Sequence, residues 1–96
     1  MNLIFDPLAA KEFEEAFDYY EAQEIGLGER FRIEIWSAIN IIECYPESGE
    51  EVRPKIRKIS IRRFPYKLIY SLRDNVIYII AVAHGYRQPD YWINRI

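Results

Sequence analysis

The residues with the most chemical capacity in this 96-residue chain stand together near its end. The run Val76 to Ala83 is apolar without a break and dense in β-branched side chains. It stops at His84-Gly85, and Tyr86, Arg87, Gln88, Pro89, Asp90, Tyr91 and Trp92 follow. The stretch thus delivers the only histidine, an arginine and three large aromatics to one place. Histidine moves protons near neutrality, and a guanidinium grips a phosphate or carboxylate with two parallel bonds. Upstream lie Arg57, Lys58, Arg62, Arg63 and Lys67, interleaved with Tyr66, Tyr70 and Tyr78. Bases alternating with aromatic faces can hold phosphates and stack nucleobases. The same residues serve equally well as a tyrosine-rich sheet core with soluble basic edges, and His84 as a hydrogen-bonded residue closing a strand. Both readings stand at this point.

Other chemistries find no support. There is no Gly-rich phosphate loop, no Cys/His set spaced for zinc and no His-Glu metal helix. Cys44 is the single cysteine, so no intrachain disulfide forms, and its distance from His84 in sequence leaves a Cys–His nucleophile unsupported. Most carboxylates fall on predicted helices, where a solvated face accounts for them.

The elements that must position His84 and Arg87 follow from the hydrophobic pattern. A short apolar run rich in Val, Ile and Tyr, as in Val76–Ala83, predicts a strand buried on both faces. Asn2 to Phe5 predicts an early or edge strand. Asp6-Pro7 is a helix start, with Asp as N-cap and Pro where its missing N–H costs nothing. Ala9, Phe13, Ala16, Phe17 and Tyr20 define one buried face of a helix from about Pro7 to Glu24, with Glu12, Glu14, Glu15 and Glu21 largely off it. Gly26 and Gly28 break that helix. A second, from about Gly28 to Tyr45, carries Leu27, Phe31, Ile35, Ala38, Ile42 and Tyr45 on one stripe, and so short a break predicts an antiparallel helical hairpin. Ile33 and Trp36 fall on its far side, a candidate partner surface. Glu47 to Pro54 reads as a polar loop. Lys58 to Arg62 predicts a half-exposed strand with Ile59 and Ile61 inward, Phe64-Pro65 a turn, Tyr66 to Leu72 a strand, and Arg73-Asp74-Asn75 a hairpin loop. A short helix is expected over Asp90 to Arg95. The order β-α-α-β-β-β with a C-terminal helix predicts an α+β domain spanning residues 1–96, its antiparallel sheet packed on one face by the helical hairpin.

Half of the chain is apolar and 16% is aromatic, well beyond a disordered protein's content. No basic-then-apolar leader opens the sequence, and no apolar run approaches the roughly 18 residues that span a bilayer. A cytoplasmic protein without membrane association is the expectation. The formal charge of −2 hides a division: residues 1–51 hold 13 acids and 3 bases, whereas residues 52–96 hold 2 acids and 10 bases. Such asymmetry fits a basic half reserved for an anionic partner, or two halves that neutralise each other across the fold.

The segments Arg63-Phe64-Pro65-Tyr66-Lys67-Leu68-Ile69-Tyr70 and Ile79 to Trp92 resemble the RelE/ParE family of bacterial toxins. Pro7 and Ala9, Tyr19-Tyr20, Phe31 and Pro46 extend the resemblance over nearly the whole chain. It implies the toxic half of a type II toxin–antitoxin system, with the fold derived above and no cofactor. It also implies a cognate antitoxin that wraps around the toxin in a heteromeric complex. The family divides in function. RelE-like members are ribosome-dependent mRNA endonucleases, and ParE-like members poison DNA gyrase. By position, Lys58, Lys67, Arg87 and Tyr91 fall where the nuclease branch places basic and tyrosine residues around the scissile phosphate, with His84 beside them. Ser60 stands where that branch has a further strand Lys, and Gly85 where it has an Arg. The 2′-hydroxyl attacks the adjacent phosphate there, so cations do most of the work and their loss weakens that reading. A pI of about 5.4 is also poor for docking on a ribosome. Phe64-Pro65-Tyr66 and Ala81-Val82-x-His84-x-x-Arg87 look more like the ParE branch. The leading expectation is therefore a gyrase inhibitor acting by binding, through Arg57, Arg62, Arg63, Tyr66, Tyr86 and Arg87, and meeting its antitoxin at Ile33 and Trp36. The alternatives are the ribosome-dependent mRNA endonuclease and an inactive, antitoxin-binding module.

Overall fold

The computed structural model describes residues 2–96. Strand β1 (Asn2–Phe5) leads into helices α1 (Pro7–Gln23) and α2 (Leu27–Cys44). Strands β2 (Glu50–Arg53), β3 (Ile56–Ser60), β4 (Tyr66–Arg73) and β5 (Val76–His84) follow, and a 3₁₀ turn (Ile93–Arg95) closes the chain. The strands form one sheet in the order β1-β5-β4-β3-β2, with the helical hairpin on one face. Neither helix is long and apolar enough to cross a membrane.

Local chemistry accounts for the helices. Asp6 caps α1 by accepting from the Leu8 backbone N–H at 2.9 Å, and Pro7 occupies the first turn. Gly26 turns the chain with φ of 90°, a left-handed conformation that suits glycine. Glu21 then reaches across that turn and accepts from the backbone N–H groups of Gly26 and Gly28 at 2.9 and 3.0 Å. These are donors that the start of α2 leaves unpaired, so this carboxylate is a cap rather than a solvated charge.

The core is two layers divided by the sheet. On the helix side Ala9, Ala16, Phe31, Ile35, Ile39 and Ile42 meet Leu68, Tyr70, Ile77, Ile79 and Val82. Each fully buried Ile or Leu contributes about 1.5–3 kcal/mol. Phe17, expected in this core, instead lines a groove on the outer side of the hairpin, and Tyr45 lies exposed just past the end of α2. On the opposite face Ile56, Ile69, Ile80, Ala81 and Ala83 are covered by Trp92, with Val52, Tyr91 and Ile93 around it. Strand β5 is therefore buried on both sides, as its unbroken apolar run predicts.

Four expectations are corrected. The sheet is mixed: β1 pairs in parallel with β5, Asn2 opposite Val76 through Phe5 opposite Ile79, while the other pairs are antiparallel. The supposed polar loop contains an edge strand, β2, whose backbone pairs with β3 although its only apolar side chain is Val52. Strand β3 starts at Ile56 and ends at Ser60, so Arg62 and Arg63 belong to a turn, Arg63 with φ of 69°. The C-terminal segment is irregular except for its last turn, with φ of 63° at Asp90.

The pairing of β4 with β5 slips by one residue. Ile69 faces Ala81 and Tyr70 faces Ile79, leaving Ile80 as a bulge. Ile77 and Ile79 face the helices, Ile80 and Ala81 both join the opposite layer, and Val82 returns to the helix side.

Candidate functional site: the cleft at the end of β5

Beyond the bulge, β5 ends against a cleft of about 320 Å³ on the face opposite the helices. Lys58 on β3 and Lys67 on β4 reach it because they alternate with Ile59 and Leu68, which point to the helix-side core. Lys58 pairs in register with Ile69 and Lys67 with Ser60, so the two ammonium groups are diagonal neighbours. His84, Gly85, Arg87 and Tyr91 complete the rim, and Trp92, 4% exposed, lies beneath. The structure thus gathers Lys58, Lys67, His84, Arg87 and Tyr91 around one cavity. Among the described residues Asp90 is the only acid lining it, and Arg53 engages that carboxylate at 2.6 Å. The cleft is cationic in a protein of net negative charge. No cluster of three His, Cys, Asp or Glu side chains is placed to hold a metal ion among the described residues.

The freedom of these groups differs. Lys58 lies 3.6 Å from the exposed Glu50, a loose pair worth little. Nδ1 of His84 accepts from the Tyr86 backbone N–H at 3.0 Å, which puts the proton of a neutral ring on Nε2. The His84 ring meets Tyr66 edge-on with centroids 4.9 Å apart. Arg87 lies over the ring of Tyr91 at 3.9 Å. The Tyr91 hydroxyl donates to Glu12 at 2.7 Å. Burial, then that hydrogen bond and the Glu12 charge, push the Tyr91 phenol well above its ordinary value.

The other predicted residues separate from the cleft. Arg57 shares the helix-side face of β3, and its guanidinium donates to the carbonyls of Glu47 and Gly49 at 3.2 and 2.7 Å. It holds the α2–β2 loop. Arg62 and Arg63 are exposed in the β3–β4 turn, where Arg63 borders a second cleft together with Ile33 and Phe64. Tyr66 packs inward against Phe31 at 5.1 Å, while Tyr86 is 93% exposed. Tyr70 cannot stack on a ligand, because it is fully buried. Tyr78 is tied to Asp6 at 2.8 Å. Trp36 lies with Phe5, Ala10, Phe13 and Phe17 along an apolar groove of about 440 Å³, a different surface from that of Ile33.

Sequence reasoning missed Glu12. Periodicity puts it off the buried face of α1, yet its side chain is only 15% exposed and is ion-paired with Arg95. No periodicity signals this, since its partners lie 70 to 83 residues further along.

Solved structures share the fold. A chain of the chromosomal ParDE TA system from P. aeruginosa is 18% identical with a TM-score of 0.71, over 88% of this chain and 95% of that one. A mutant RelE toxin of E. coli in the free state is 24% identical with a TM-score of 0.73, over 99% and 96%. A mutant E. coli RelE toxin in complex with an antitoxin RelBc peptide is 20% identical with a TM-score of 0.56, over 99% and 93%. A comparison with curated proteins finds no match. Residues 3–89 match the profile of the ParE toxin of the type II toxin–antitoxin system parDE. With nearly the whole chain so matched, this protein belongs to the ParE toxin family of type II toxin–antitoxin systems.

Proposed function

We propose that this chain is a cytoplasmic toxin that inhibits DNA gyrase by binding, and that a cognate antitoxin neutralises it in a heteromeric complex. The observation that carries the reading is the coupling of Arg87, Tyr91 and Glu12. The phenol of Tyr91 is held protonated by burial and by a carboxylate acceptor, so it is not available as a base. The Arg87 guanidinium rests on that ring, and the residue is exposed. Such a rim is built to grip an anionic group, and it lacks an assembled proton-transfer pair. The family match agrees with this reading. Arg87 and the exposed Tyr86 are the target contacts it favours, with Arg62 and Arg63 on the neighbouring turn and Tyr66 supporting His84 from within. The loop-holding bonds of Arg57 take it out of that set.

The antitoxin contact we assign to the two exposed apolar surfaces beside α2, one at Trp36 and one at Ile33. The solved complex of a RelE toxin with an antitoxin peptide supports the expectation of a peptide partner, through likeness of fold.

One observation favours the endonuclease reading: Lys58, Lys67, His84, Arg87 and Tyr91 line a single cavity. Against it, Ser60 faces Lys67 across the strands with a short hydroxyl, and Gly85 brings no charge to the rim. Losing one positioned donor of this kind costs about 10²–10³ in rate. The deciding experiment gives purified protein to gyrase and to translating ribosomes. Blocked supercoiling with intact mRNA is the expected result. Cleaved mRNA with unaffected supercoiling overturns the proposal, and inactivity in both assays, with no growth arrest on expression, returns the antitoxin-binding module.

A further inference from the structure

Among the described residues Glu12 is the most heavily engaged carboxylate. It accepts from the Val82 backbone N–H at 3.0 Å, from the Tyr91 hydroxyl at 2.7 Å, and from both terminal nitrogens of Arg95 at 2.9 and 3.0 Å. The reason lies in the sheet. Strand β1 pairs with β5 only as far as Ile79, so the edge of β5 beyond it has no neighbouring strand. Side chains finish the ladder there: Glu12 takes the Val82 N–H, and Arg95 donates to the Ile80 carbonyl at 3.1 Å. The largely buried ion pair is thus backed by further hydrogen bonds on both partners, the condition under which such a pair is tolerated.

The same carboxylate reaches the cleft by a second route. Tyr91 is fixed at its hydroxyl by Glu12, and its ring carries the Arg87 guanidinium at 3.9 Å. Among the described residues that guanidinium has no ion pair and no hydrogen bond of its own. The ring is therefore what holds it.

We propose that Glu12 is a positioning residue for Arg87, acting through the Tyr91 hydroxyl to fix the ring on which the guanidinium rests at the mouth of the cleft. Its bearing on gyrase rests on the reading that Arg87 touches the target, whereas the positioning itself does not.

The test compares the full chain with Glu12→Gln and Tyr91→Phe. An aromatic ring shifts protons above its face upfield, so the Arg87 δ-methylene signals in NMR spectra report the stack without any target. In both variants these signals are expected to move toward ordinary arginine values, while the amides of Phe31, Tyr70 and Ile79 stay in place. Affinity for gyrase is expected to fall about five- to tenfold, the scale of a cation–π contact. That loss is expected to vanish when Arg87→Ala is already present, since a residue acting through Arg87 has nothing left to position. Should Glu12→Gln fail to fold, Tyr91→Phe decides, because it keeps the Glu12–Arg95 and Glu12–Val82 bonds. Unshifted Arg87 signals in a folded variant overturn the proposal, as does a Glu12→Gln loss of equal size in the Arg87→Ala background. If the wild-type chain does not bind gyrase, the target reading falls and the Arg87 signals alone decide the positioning.

Discussion

The hydroxyl of Tyr70 accepts from the Gly49 backbone N–H at 3.0 Å and donates to the Pro46 carbonyl at 2.8 Å. A core tyrosine on β4 thus clamps the loop that returns the chain from α2 to the sheet. Tyr70→Phe leaves an N–H and a carbonyl without partners and is expected to cost about 1–3 kcal/mol. Gly49→Ala should cost about as much by overpacking. A Cβ there would lie 2.6 Å from the Tyr70 oxygen and 2.7 Å from the Lys58 carbonyl. Urea unfolding of both variants checks this, and unchanged midpoints would show that the loop holds without the clamp.

The cleft lysines separate binding from chemistry. Lys58→Ala with Lys67→Ala should leave the fold intact, because partly exposed charges contribute little to stability. Under the gyrase reading the double variant still arrests growth. A fall in mRNA cleavage of about 10²-fold or more, together with lost toxicity, would instead mark these cations as transition-state donors.

His84 and Arg87 should diverge. His84→Gln keeps a polar side chain at the exit of β5 and is expected to remain toxic. Arg87→Ala removes the exposed guanidinium and should reduce toxicity. Growth assays beside circular dichroism make the comparison. Abolished toxicity in a folded His84→Gln variant would restore a proton-transfer role.

Alkaline pH should weaken the fold. Tyr20, Tyr66, Tyr78 and Tyr91 all have phenols raised above the ordinary value of 10.0, in each case first through burial. The folded state holds these protons more firmly than the unfolded chain. Their stabilising contribution is therefore complete below about pH 10 and is lost as pH rises through the folded values. Urea midpoints followed from about pH 9 to about pH 12 should fall, and Tyr91→Phe should flatten the decline. A pH-independent midpoint would contradict the shifts.

What the sequence disclosed was local chemistry. Asp6-Pro7 marked the start of α1, and the spacing of Phe31, Ile35, Ala38 and Ile42 marked the buried stripe of α2, because caps and periodicity are written within a few residues. Strand β2 escaped because Glu50-Glu51-Val52-Arg53 is held by backbone pairing, which leaves no apolar signature at an edge. The parallel register of β1 escaped because four residues do not state their direction relative to a strand over seventy positions away. At the cleft, residue types identified Lys58, Lys67, His84, Arg87 and Tyr91. They did not separate Arg57 from Lys58, whose faces follow from a strand start two residues earlier than the pattern implied. Glu12 lay beyond reach for the same reason as β1: its meaning depends on an edge left open far along the chain.

The bulge at Ile80 sets the reading frame of everything after it. In an uninterrupted alternation from Ile77 and Ile79, Ala81 and Ala83 would point to the helices, with Val82 and His84 to the cleft face. With one residue in excess the parity is inverted, so Val82 enters the helix-side core and His84 comes to rest against Tyr66. Pairing the same residues without the bulge would therefore be a phase error: it would swing the His84 ring from Tyr66 to the opposite face and drive Val82 out of the core, exchanging the chemistry of two surfaces without altering a single functional residue. Deletion of Ile80 would do neither, because it removes the residue in excess and leaves Val82 and His84 on the faces they now occupy.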